Sequence, residues 1–272
     1  MPPLLYGTAW KEDRTEALVA RALEAGFRGI DTANQRKHYH EAGVGAALRQ
    51  ALADGSLRRD ELFVQTKFTF QAGQDHRLPY DPTAAIGRQV EQSLTSSLEH
   101  LGLEHVDALV LHGPSGRRGL AEADREAWNA MADLARQGIV RAIGVSNVSA
   151  EQLAELHRGS SAKPSVVQNR TLVYPGADGA TRAFCRDNGI RYQGFSLLTA
   201  APALLRHPVV HAAASRLHAT PAQVVLGFWM GHGVVVLTGT TSEAHMQDDL
   251  EARDLALEPD ETAAIAALLG MD

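Results

Sequence analysis

Five short apolar runs in this chain stop on polar side chains. They end in Asp31 of "GIDTANQRKHY", Lys67 of "FVQTK", His112 of "LVLHGP", Ser146-Asn147 of "AIGVSN" and Gln168-Asn169 of "VVQN". A lone carboxylate or ammonium is costly to bury, so Asp31 and Lys67 are most easily accommodated as a pair. A buried ammonium beside a phenol is expected to lower its pKa from about 10 and make it a better general acid near neutral pH. Tyr39, eight residues past Asp31, is the nearest phenol, and His38 and His40 are the alternative proton donors on the same loop. His112 could donate a hydrogen bond to a carbonyl oxygen and hold it close to that acid. No metal is expected, because His38 and His40 have no Cys or carboxylate at zinc-like spacing.

These residues need elements that bring them to one place. A recurring junction, in which a helical stretch ends in Gly and a β-branched or aromatic run follows, appears as "LEAGFRGID", "LARQGIVRAIGV", "CRDNGIRYQGFS" and "WMGHGVVVLTG". Glycine suits the left-handed position just past a helix C-terminus. Helix starts are predicted at Asp13/Glu16, Ser149/Gln152 and Thr220/Gln223, which resemble capping boxes, and at Asp81-Pro82 and Thr220-Pro221. Eight short apolar runs lie near 4–9, 27–31, 62–66, 106–111, 139–145, 165–168, 191–195 and 234–238. Runs such as "ALVLH" and "VVVL" are continuous rather than alternating, as in parallel strands covered on both faces. Eight strand-helix pairs favour an α/β fold of the closed (β/α)8 TIM-barrel type, one domain over residues 1–272, with the chemistry at the C-terminal ends of the strands. The competing open Rossmann-type sheet lacks its G-x-G-x-x-G after the first strand; "GVGAAL" from Gly43 has the wrong spacing.

Composition narrows the partners. With 32 acidic against 26 basic residues and no Lys/Arg block, no nucleic-acid partner is expected. No apolar run approaches the length of a membrane span and the N-terminus has no signal-peptide pattern, so the reading is cytoplasmic, without a membrane partner. A single cysteine, Cys185, cannot form an internal disulfide and is read as a packing residue.

The blocks "GTAW", "FRGIDTA", "LFVQTKF", "VDALVLHGP", "EAWNAMADLARQGIVRAIGVSN", "ATPAQVVLGFW" and "GVVVLTGTTSEAHMQDDL", taken in order, resemble the aldo-keto reductase superfamily over nearly the whole chain. The resemblance implies a tetrad of Asp31, Tyr39, Lys67 and His112, and reduction of an aldehyde or ketone with NADPH, or NADH, bound without a Rossmann motif. It implies that Ser146, Asn147 and Gln168 hold the nicotinamide carboxamide and that Phe195 stacks on the ring. It further implies cofactor contacts at Thr8, Ser196, Leu198, Thr238, Gly239, Thr240, His245, Asp248 and Asp249, and substrate contacts at Trp10, Tyr39, His112 and Gly113. Retention of His112 favours carbonyl over C=C reduction.

Three departures from the family pattern are visible. The usual D-T-A-x-x-Y spacing would put the phenol at Arg36, and counting back from Val44-Gly45 puts His38 in register; Tyr39 is the only phenol of this longer loop. The family's K-S-x-x-x-x-R stretch aligns with Gly239, Thr240 and His245, so both strong cations are missing and Asp248 and Asp249 stand nearby. Only a modest preference for NADPH is therefore expected. Gly113 replaces a common Trp, and helix "PDETAAIAALL" ends close to Asp272, so the mouth is expected to be more open than usual. Trp10 is a pocket residue or a barrel-end packing residue, and Arg117 and Arg118 are a solvated face or an acidic-substrate contact. Two other functions compete: a cofactor-sensing regulatory protein, and a lyase or isomerase using Lys67 as a Schiff base. The protein is expected to be a monomer or weak homo-oligomer acting on a small carbonyl substrate.

Overall fold

The structure, a computed structural model, describes residues 1–173 and 175–271. Eight parallel strands close into a barrel in chain order. They are β1 (Leu4–Gly7), β2 (Gly29–Asp31), β3 (Phe63–Phe68), β4 (Ala108–Leu111), β5 (Ile143–Ser146), β6 (Val166–Asn169), β7 (Arg191–Gly194) and β8 (Val235–Thr238). The ring is sealed where Leu4, Leu5 and Tyr6 of β1 pair with Val236, Leu237 and Thr238 of β8. A helix separates each strand from the next: α1 (Thr15–Ala25), α2 (Glu41–Ala53), α3 (Ile86–Leu101), α4 (Glu122–Arg136), α5 (Ala150–Gly159) and α6 (Pro175–Asp187). Three helices, α7 (Pro202–Leu205), α8 (Pro208–Leu217) and α9 (Pro221–Gly231), lie between β7 and β8, and α10 (Glu243–Glu251) and α11 (Pro259–Leu268) follow. This is the expected (β/α)8 barrel, and the open-sheet alternative is excluded by the β1–β8 pairing.

The strands are buried on both faces because helices cover the outside and side chains fill the inside, which is why their sequences read as continuous apolar runs. Gly26 (φ 119°) and Gly138 (φ 80°) turn the chain from helix to the next strand in conformations that a β-carbon would strain. Of the predicted helix starts, two are capping boxes. Ser149 Oγ accepts from Gln152 N and Gln152 Oε1 from Ser149 N, and Thr220 and Gln223 exchange the same pair of bonds. The other two predictions need correction. Helix α1 starts at Thr15 without a side-chain cap, so Asp13/Glu16 is no box. Asp81-Pro82 opens a turn, in which Asp81 Oδ1 accepts from the amide and hydroxyl of Thr83, and α3 begins only at Ile86. Cys185 is buried as expected, and burial pushes its thiol up to about 12. Among the described residues no helix is long and apolar enough to cross a membrane.

Candidate active site

The polar residues that end β2 to β6 surround the mouth of the barrel. Asp31 and Lys67 are 4% and 1% exposed and form an ion pair, Lys67 Nζ to Asp31 Oδ1 at 2.6 Å. Lys67 also donates to the backbone oxygen of Thr32 at 2.9 Å. The same Asp31 oxygen accepts from Gln65 Nε2 at 2.5 Å and Gln168 Nε2 at 3.0 Å. Both of those amides also donate to Gln193 Oε1, at 2.8 Å. Each of these hydrogen bonds replaces water that the buried carboxylate has lost.

The loop after β2 is tied to the β3 side of the barrel: Asn34 N donates to Lys67 O, Asn34 Nδ2 to Ser93 O, and Gln35 Nε2 to Gly73 O. That scaffold separates the three candidate proton donors. His38 is occupied, with Nδ1 against Gln35 Oε1 at 2.9 Å and its ring 3.8 Å from that of Trp10. His40 is exposed, 3.3 Å from Glu12 O. Tyr39 lines the large cavity at the mouth, its ring 6.1 Å from that of His112 and 5.3 Å from the Lys67 ammonium. The phenol pKa is raised, first by burial and then by the charge of Asp31. This corrects the expectation of a lowered value: the Lys67 ammonium is already matched by Asp31 and does not act on Tyr39 as an isolated cation.

His112 follows β4, and its pKa is pushed down to about 3, chiefly by burial, with Lys67 and His38 adding repulsion. It is a neutral imidazole at neutral pH. Asn147 Nδ2 donates to its backbone oxygen at 2.8 Å. Asn147 (φ 52°), Ser196 (φ 59°) and Trp10 (φ 61°) hold left-handed backbone conformations at this mouth, strain of the kind that collects at functional sites.

The cavity measures about 1330 Å³. That exceeds the roughly 300–1,000 Å³ of a drug-sized site and gives an elongated ligand room beside a small one. It runs from Asp31 and Gln168 past Phe195 to Gly239, Thr240 and His245. All the sequence-predicted site residues line it except Thr8 and Lys67. Thr8 is buried and donates its hydroxyl to Asp31 O, and Lys67 sits behind Asp31, which leaves no open ammonium for a Schiff base. Trp10, 66% exposed, forms the rim rather than packing into the barrel end. At Gly113 a β-carbon would meet only Asn147 Cβ at 3.6 Å and Ser146 O at 3.8 Å, ordinary contacts that leave space on this side of the mouth. Arg117 and Arg118 are exposed and outside the cavity lining.

A nicotinamide dinucleotide fits these residues. Ser146 Oγ is used on Gln168 O, yet Asn147 Oδ1 and Gln168 Oε1 accept no bond among the described residues and can take a carboxamide NH2. At the β8 end a cation stands close to Gly239, on the other side of the barrel seam. Lys11, which sequence reasoning missed, is 4% exposed, lines the cavity and donates to Gly239 O. A β-carbon on Gly239 would sit 3.5 Å from its Nζ, so the space vacated at Gly239 is where Lys11 points. Among the described residues it has no carboxylate partner, and burial followed by Arg14 pushes its pKa down to about 8. Asp249 is buried, accepts from Thr238 Oγ1 at 2.5 Å, and burial pushes its carboxyl up to about 6, so its proton is held more readily than that of an exposed carboxylate. The sequence signal for Lys11 was its place right after "GTAW", but its reach to β8 is a property of the closed ring.

Residues 5–269 match the model of the aldo/keto reductase family, and the chain belongs to that family. An aldo-keto reductase of Mycolicibacterium vanbaalenii is 33% identical, the match covering 98% of this chain and 88% of the relative. The methylglyoxal reductase DkgB of Salmonella typhimurium is 31% identical over 95% and 89%. Among solved structures, the silkworm (Bombyx mori) aldo-keto reductase AKR2E5 complexed with NADPH is similar with a TM-score of 0.82, at 25% identity over 98% of this chain and 84% of that one.

The low His112 pKa has a consequence for acid stability. Below about pH 6.5 the unfolded chain takes up a proton at this imidazole that the folded protein refuses until about pH 3, so the folded state loses free energy as pH falls through that window. The unfolding free energy of the wild type is therefore expected to fall more steeply between pH 6.5 and 4.5 than that of His112→Asn. Equal drops in unfolding free energy for the two proteins between pH 6.5 and 4.5, each read from urea titrations, would refute this.

Proposed function

We propose that the protein reduces an aldehyde or ketone to an alcohol, with NADPH preferred and NADH accepted. The observation that carries this is the placement of a protonated phenol, Tyr39, and a neutral imidazole, His112, on one wall of a cavity whose far end holds the Lys11 ammonium. When bound, the reduced nicotinamide supplies the hydride. Asn147 and Gln168 would hold its carboxamide, Phe195 would pack against its ring, and Lys11, Thr240 and His245 would face its phosphates.

The chain's own residues handle the oxygen. His112 donates a hydrogen bond that positions the carbonyl oxygen, and Tyr39 Oη gives up its proton to that oxygen as negative charge builds there. Burial and Asp31 keep the phenol protonated in the resting site, so the proton leaves only when the substrate oxygen demands it. The Lys67 ammonium, 5.3 Å from the ring, then faces the phenolate until solvent returns a proton. Asp31 holds Lys67 in place for this. Residues 1–272 are taken as one barrel domain, acting as a monomer or weak homo-oligomer. The absence of a disulfide partner for Cys185, the chain's single cysteine, accords with a reducing compartment and so with a cytoplasmic reading.

Two measurements test this. Tyr39→Phe is expected to lose carbonyl reduction by at least about a hundredfold in kcat, the size of a general-acid contribution, while binding NADP+ normally; a variant that keeps most of its turnover removes Tyr39 as the donor. Lys11 is charged below about pH 8, so NADP+ affinity, read by quenching of protein fluorescence, is expected to weaken as pH rises through 8. Lys11→Met should weaken binding about tenfold or more at pH 7, as for one charge-assisted hydrogen bond, and flatten that pH dependence. Unchanged affinity would mean that Lys11 does not meet a phosphate.

A further inference from the structure

The hydroxyl of Thr69 lies 2.7 Å from Nδ1 of His112. Thr69 follows β3 directly and is 5% exposed. Its backbone oxygen accepts from Tyr80 Oη at 2.8 Å and from Gln74 Nε2 at 3.4 Å. On the other side, Gly73 leaves room for its methyl group, since a β-carbon there would stand 2.8 Å from Thr69 Cγ2. A β-branched side chain clamped in this way keeps one χ1 rotamer. The hydroxyl is thereby fixed against the imidazole.

A neutral imidazole carries one N–H, and which nitrogen has it decides what the ring can do. The charged and titratable groups facing His112 are Lys67, His38 and Tyr39; burial and the Lys67 ammonium disfavour a second proton on the ring, as does His38 when it is protonated, though burial and Lys37 hold its own pKa below the usual histidine value. If Nδ1 bore the proton, it would donate to Thr69 Oγ1. The hydroxyl hydrogen would then be left without an acceptor, because Nδ1 is its one partner among the described residues. The Nε2 lone pair would also face the cavity and repel a carbonyl oxygen. If instead the hydroxyl donates to Nδ1, both groups are satisfied and Nε2 bears the proton. A buried polar hydrogen without a partner is the costlier choice.

We propose that Thr69 is a positioning residue that donates its hydroxyl hydrogen to Nδ1 of His112 and so fixes the tautomer with Nε2–H available to the cavity. Its part in catalysis rests on the reading of His112 as the group that holds the carbonyl oxygen; the tautomer itself does not. Sequence reasoning did not single out Thr69, since nothing in "TKFTF" announces a contact with a residue 43 positions later.

The test uses protein labelled with 15N in its imidazoles, without added cofactor, and the His112 signals are assigned as those lost in His112→Gln. Long-range 1H–15N spectra from pH 6 to 8 should show Nε2 protonated and Nδ1 bare in the wild type. In Thr69→Val a mixture containing Nδ1–H is expected, together with a loss of about tenfold in kcat, the size of one lost hydrogen bond, and little change in KM. Thr69→Ser should restore the spectrum and bring kcat within about threefold of wild type, because it keeps the hydroxyl. A wild-type spectrum with Nδ1–H overturns the proposal without any variant, so the test survives a Thr69→Val protein that fails to fold. An unchanged Thr69→Val spectrum, or a serine variant as impaired as the valine one, also overturns it. A wild type inert toward carbonyls but showing the expected tautomers would refute the proposed reaction and still support the Thr69 assignment.

Discussion

The buried contact between Asp31 and Lys67 sets the terms for everything at the barrel mouth. Neither charge is tolerable alone at 4% and 1% exposure. The barrel therefore surrounds the pair with further polar groups: the Thr32 carbonyl on the ammonium, and the Gln65 and Gln168 amides on the carboxylate. Gln193 joins the two amides across the barrel, accepting from both and donating back to Gln65 Oε1 at 2.8 Å. Strands β2, β3, β6 and β7 are thus linked through their interior side chains as well as through their apolar cover. A network of this kind is stable only when complete, so its members hold one another in place.

That rigidity is what the loops exploit. Lys67 O anchors Asn34, the next residues carry Tyr39 to the cavity, and Phe68 O accepts from His112 N. The phenol and the imidazole are consequently referenced to the same strand that carries the buried cation. Gln168 lies at a junction, since its amide NH2 serves Asp31 while its oxygen remains for a ligand. The far end of the cavity is built differently, from Lys11 reaching over the β1–β8 seam to the space at Gly239.

Much of this was legible in the chain. The strand ends are visible because apolar runs stop on Asp31, Lys67, His112, Ser146 and Gln168, and a closed parallel barrel brings such ends together. Gln65, two residues before Lys67 and on the same face of β3, was a readable sign of an interior polar layer. Lys11 and Thr69 were not legible, because each acts on a residue brought near only by ring closure or by the β3–β4 pairing. The pKa of Tyr39 was expected in the wrong direction for a different reason: the sequence pairs Lys67 with Asp31 but does not reveal how deeply the phenol is buried, and burial is the larger cause of the rise, with the charge of Asp31 adding to it. Asp13 and Asp81 look like helix caps in the sequence, but the helices start two and five residues later, past a 3-10 turn and an Asp-Pro turn.

If the buried pair organises the site, its two halves must depend on each other. The direct measurement is a double-mutant cycle on unfolding free energy with Asp31→Asn, Lys67→Met and the combined variant. Each single change strands a buried charge or donor and is expected to cost about 3–5 kcal/mol, with the combined variant losing no more than the worse single one. Losses that simply add would contradict the account, since they would mean that Asp31 and Lys67 are held in place independently.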